Sequence, residues 1–100
     1  MLKLNNNALL REAAYVDGEW RGAHSGARFA VRNPATGEVI AEVADLDETD
    51  VRDGIEAAHR AWGPWRAKTA KERTVLMRKW YELMMAAQED LAQLMTAEQG

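Results

Sequence analysis

The sequence predicts a small α+β unit in which two short β-hairpins lead into two to three amphipathic helices, and three observations predict it. The composition changes character near Asp45, from Gly, Val, Phe and Tyr before it to Ala, Leu, Met, Glu and Arg after it. Two turn signals, Asp17-Gly18 and Asn33-Pro34-Ala35-Thr36-Gly37, each lie between apolar runs. Beyond Asp45, apolar residues recur at helical spacing. Residues 1–45 therefore read as a β-hairpin region and 46–100 as a helical region.

In the first hairpin the apolar run Ala13-Ala14-Tyr15-Val16 stops at Asp17-Gly18, a pair suited to the positive φ angles of a tight turn, and Glu19-Trp20-Arg21 resumes it. After the turn-rich Gly22-Ala23-His24-Ser25-Gly26, the segment Arg28-Phe29-Ala30-Val31-Arg32 reads as a strand with one wet face. Pro34 lacks a donor and biases Asn33 away from helix, and Gly37 can take the left-handed conformation that turns the chain back into Glu38-Val39-Ile40-Ala41-Glu42-Val43.

Asp47 stands where a helix N-cap belongs, with Glu48 and Asp50 in the first turn, where negative charge favours the positive end of the helix dipole. Val51, Ile55, Ala58 and Trp62 follow at helical spacing, so the first helix is expected from Glu48 to about Ala61, with Gly63-Pro64 ending it. Thr69-Ala70-Lys71-Glu72 has capping-box spacing, which starts the second helix at Ala70. Leu76, Trp80, Leu83, Met84, Ala87, Leu91 and Leu94 make one apolar stripe. Gln88-Glu89-Asp90 interrupts it, so two helices are expected to meet there.

Composition excludes several functions. One hundred residues suffice for a single core. Thirteen Lys and Arg against 16 Asp and Glu, a net charge of -3, leave no basic footprint for nucleic acid. The cations Arg66, Lys68, Lys71, Arg73, Arg78 and Lys79 are interspersed with Glu72, Glu82, Glu89 and Asp90, as on a solvated helix face. No run approaches the roughly 18 apolar residues of a membrane span, and Met1 to Leu10 carries three asparagines where a signal peptide has its apolar stretch. A cytoplasmic protein without a membrane partner is the expectation.

The chain has no cysteine, hence no disulfide, thiolate metal site or thiol nucleophile. His24 sits in a Gly/Ser loop and His59 in mid-helix, outside any ligand spacing, and both read as surface or partly buried histidines. Gly18, Gly22, Gly26 and Gly37 are turn residues, not a phosphate cradle. Trp20, Trp62, Trp65 and Trp80 read as packing anchors. Trp62 and Trp65, which could clamp a ligand, are read as a plug between two helices. Met77, Met85 and Met95 widen the apolar stripe beyond what a helix wet on one side needs, which implies further protein packed over it. No catalytic, cofactor-binding or metal residue is assigned.

Taken in order, Tyr15-Val16-Asp17-Gly18-Glu19-Trp20 and Val31-Arg32-Asn33-Pro34-Ala35-Thr36-Gly37-Glu38-Val39-Ile40 resemble the opening of the aldehyde dehydrogenase superfamily. The resemblance continues through Ala57-Ala58-His59-Arg60-Ala61, Trp65, Arg73 and Leu76 to Leu91-Ala92-Gln93-Leu94-Met95-Thr96-Ala97-Glu98-Gln99-Gly100. Within it, the lead from Leu4 to Arg11 and the stretch from Met95 to Gly100 are most similar to bacterial succinate-semialdehyde dehydrogenases.

The resemblance implies that residues 1–100 are the N-terminal segment of the cofactor-binding domain of a longer α/β enzyme, a homo-oligomer (dimer or tetramer). It implies oxidation of an aldehyde, here succinate semialdehyde to succinate, by NAD or NADP, through a cysteine thiolate, a thioester and a glutamate base. The motifs of those residues lie outside these 100 positions, and Glu98 is not a candidate. The segment alone is expected to be inactive and to need no cofactor, its partner being the remainder of its own polypeptide. The alternative is a free-standing, non-catalytic interaction module built on the same scaffold.

Overall fold

A computed structural model describes residues 2–100; Met1, which opens both the predicted domain and the lead read for a signal peptide, lies outside the described residues. The chain runs through a single 3₁₀ turn (Asn7–Leu9), β1 (Ala14–Val16), β2 (Glu19–Arg21), β3 (Arg28–Arg32), β4 (Val39–Ala44), α1 (Glu48–Ala67), α2 (Ala70–Ala86) and α3 (Gln88–Gln99). The strands form two separate antiparallel hairpins, β1 with β2 and β3 with β4.

Local chemistry explains the turns. Asp17 and Gly18 take φ angles of 51° and 76°, and the register pairs Val16 with Glu19 across them. Gly37, at φ 79°, closes the second turn, where its N–H reaches the Asn33 carbonyl at 2.8 Å. The second hairpin slips at Val31/Arg32, so Arg32 pairs with Val39 and the fourth strand begins at Val39, one residue later than expected. Phe29, paired with Val43 ahead of the bulge, is half exposed.

The predicted caps are present. Asp47 accepts the Asp50 N–H at 3.0 Å while Asp50 accepts the Asp47 N–H at 3.0 Å. Thr69 and Glu72 make the same reciprocal pair at the start of α2. The helices meet at Ala87, beside Gln88-Glu89-Asp90, as the polar interruption predicts.

Two expectations fail. Gly63-Pro64 does not end α1, which continues to Ala67. Pro64 withholds one N–H from the Arg60 carbonyl, but Arg60 is exposed and water can take the vacant position. Three further residues complete the last turn, and the Lys68 N–H closes it on the Trp65 carbonyl at 3.2 Å.

The expectation of one core also fails. Among the described residues only Ala41, Ala57, Asp50 and Asp90 are buried, and no large side chain is fully enclosed. The surface measures 7902 Å², whereas a compact monomer of this mass presents about 5,700 Å². The radius of gyration is 16.4 Å, against about 13 Å for a compact domain of this length. The molecule is an elongated slab of 47 × 35 × 18 Å.

Candidate functional site

Helix α1 turns a different face inward from the one its apolar residues mark. Val51, Ile55 and Trp62 are 50%, 62% and 56% exposed. The buried residues of the helix are instead Asp50 and Ala57, and Gly54, Ala57, Ala58 and Ala61 line a shallow recess with Tyr15 and Val16. The apolar stripe is left outward.

The same holds along α2. Leu76, Trp80, Leu83 and Met84 of the predicted stripe are exposed, as are Met77, Met85 and Met95, whereas Ala87, Leu91 and Leu94 are half-buried. None of the four tryptophans is a buried anchor, and Trp62 and Trp65 do not plug an interface between helices. Tryptophan anchors need a facing element, and the slab supplies none. Arg66 lies over the Trp62 ring at 4.6 Å and Arg78 over Tyr81 at 5.1 Å. Trp65, Ala70, Arg73, Thr74, Met77 and Arg78 line an open groove of about 580 Å³. Within this face the Arg73 Nε is buried without a hydrogen-bond partner.

The polar chemistry gathers elsewhere. His24 donates its backbone N–H to Asp50 Oδ1 at 3.1 Å, and its Nδ1 lies 2.7 Å from the same oxygen. Its Nε2 lies 3.6 Å from Asp53 Oδ2. Backbone donation from Asp47 holds the Asp50 carboxyl below its ordinary value; desolvation opposes this, and the His24 N–H and imidazole reinforce it. The cluster ties the β2–β3 connection to the start of α1. His59 is exposed on α1. Among the described residues no group of three or more His, Cys, Asp or Glu is placed to hold a metal ion, and no helix is long and apolar enough to cross a membrane.

Sequence reasoning missed Asp50 and Asp90 as buried acceptors. For Asp50 the signal existed, since Asp47-x-x-Asp50 has capping-box spacing with Asp in place of Glu. For Asp90, whose partners are Asn5 and Asn6, no local signal exists.

Known proteins share both sequence and shape with this slab. The family model described as "Aldehyde dehydrogenase family" matches residues 20–100. The chain is 50% identical over 100 residues to 3-sulfolactaldehyde dehydrogenase of Pseudomonas putida, covering all of this chain and 21% of that protein. It is 50% identical over 99 residues to glutarate-semialdehyde dehydrogenase of P. putida KT2440, covering 99% and 21% respectively. With the NADP(+) succinate-semialdehyde dehydrogenase of Escherichia coli K12 the identity is 46%, covering 99% of this chain and 20% of that protein. A solved aldehyde dehydrogenase from Brucella melitensis biovar abortus 2308 superposes with a TM-score of 0.95 at 42% identity, over 100% of this chain and 21% of that one. The chain thus spans about a fifth of the length of the curated relatives it matches. With a family model over most of its length and the same backbone in a solved member, this chain belongs to the aldehyde dehydrogenase family.

Proposed function

We propose that these 100 residues serve as the N-terminal segment of the cofactor-binding domain of an NAD(P)+-dependent semialdehyde dehydrogenase. The observation that carries the reading is the agreement of the ordered motifs from Tyr15 to Gly100 with relatives that are semialdehyde dehydrogenases. The outward apolar stripes of α1 and α2 support it, because they give the segment a face for the rest of a dehydrogenase to cover.

The substrate is a short aldehyde with an anionic group at its far end. The named substrates of the relatives, 3-sulfolactaldehyde, glutarate semialdehyde and succinate semialdehyde, share that chemistry. Succinate semialdehyde, oxidised to succinate, is our leading choice, since the lead from Leu4 to Arg11 and the stretch from Met95 to Gly100 most resemble that group. The parent is a cytoplasmic homo-oligomer with no nucleic-acid or membrane partner, and the segment alone is inactive.

The test is NAD(P)H absorbance with each of the three aldehydes on the intact gene product, whose mass is determined first. Fastest reduction with succinate semialdehyde supports the full reading, and preference for another of the three overturns the substrate choice. No reduction with any of them overturns the enzymatic reading in favour of the interaction module.

A further inference from the structure

The N-terminal lead crosses the break between α2 and α3, and one carboxylate holds it there. Asp90, the third residue of α3 and 5% exposed, accepts the Asn5 N–H on Oδ1 and the Asn6 N–H on Oδ2, both at 2.9 Å. Two consecutive backbone amides thus meet the two oxygens of one carboxylate, a charge-assisted fork. Asn6 is itself fixed, since its side chain accepts the Ala8 N–H and caps the Asn7–Leu9 turn.

The lead is pinned a second time, on the sheet. The Glu12 carbonyl accepts the Ala44 N–H at 3.0 Å, and Glu12 Oε2 accepts the Glu42 N–H at 2.8 Å, both donors on β4. Residues 5–12 therefore run from α3 to the β3–β4 hairpin with a polar clamp at each end. Leu2 lines the groove of about 770 Å³ between those two elements, with Val39, Ile40, Ala92 and Thr96.

Helix α3 needs such support. It leaves α2 through the single residue Ala87, at φ -104° and ψ 16°, and no side chain caps its first turn. We propose that residues 5–12 are a strap, latched by Asp90 and anchored by Glu12, that sets the direction of α3 relative to α2 and to the β3–β4 hairpin. Asp90 is a positioning residue in this arrangement and takes no part in chemistry.

Amide hydrogen exchange on the intact gene product tests the strap. Leu91, whose N–H reaches the Ala87 carbonyl at 3.0 Å, reports the break; Val51, bonded in the same way to Asp47 at 3.0 Å, is the internal control. The Asn5 and Asn6 amides are expected to exchange about tenfold or more slowly than in unstructured chain. Asp90→Ala returns both to unstructured rates and speeds Leu91 while leaving Val51 unchanged. Asn5→Pro removes one donor and keeps the Asp90 charge at the helix terminus, so faster Leu91 exchange in this variant reads the strap alone. It also carries the test should Asp90→Ala fail to fold. Unprotected Asn5 and Asn6 amides in the parent protein, or unchanged Leu91 exchange in Asn5→Pro, overturn the proposal.

Discussion

Replacing Trp80 by Ala separates the slab as it stands from the slab under cover. Trp80 keeps 58% of its surface in water. A tryptophan offers up to about 250 Å², so roughly 145 Å² of this ring remains to be buried. At about 25 cal/mol per Å² that is about 3.6 kcal/mol, an upper figure because unfolded chains already bury part of such surface. In the 100-residue chain the substitution removes only the already buried minority, worth about 2 kcal/mol or less. In the intact gene product, with the ring enclosed, the loss rises to about 3–5 kcal/mol. Denaturant titration of both forms, monitored by far-UV circular dichroism, reads the difference. A loss in the intact product no larger than that in the 100-residue chain would show that nothing covers the α2 stripe, and the outward face would need another explanation.

Thr69→Ala removes the cap of α2 and should cost about 1 kcal/mol in the same titration, because the Glu72 N–H loses its acceptor. Asp50 gives a pH signature. Its carboxyl lies below the ordinary 3.8, so its stabilisation is fully present above that value and is lost as pH falls through the lower folded value. Asp50→Asn should flatten that part of an acid titration followed by circular dichroism, and an unchanged acid limb would refute the role given to the carboxylate.

The parts of this fold that were legible in the sequence are those settled within a few residues. Asp17-Gly18 forms its turn because two positive φ angles are a local matter, and Asp47 and Thr69 cap their helices because donor and acceptor lie three positions apart. Pro64 misled because a proline near a helix end has a local cost that a nearby exposed carbonyl can absorb. The direction of each helix face was not legible. Periodicity identifies the apolar face of α1 through Val51, Ile55 and Trp62, but whether that face turns toward the β1–β2 hairpin depends on what else is available to meet it. Asp90 lies beyond local reasoning altogether, with partners 84 and 85 residues away.

The 18 Å thickness of the molecule has a consequence for any effort to stabilise it. Packed helices lie with their axes about 8–10 Å apart, so the short dimension holds at most about two layers, and among the described residues no large side chain is fully enclosed between them. Exchanging one apolar residue for another on an exposed face adds little burial where no element faces it. Consensus substitutions, tighter turns and better caps would add increments at the edges, whereas a second layer laid on the α1–α2 face would change the dimensionality of the problem. The useful engineering unit is therefore the slab together with whatever is laid upon it.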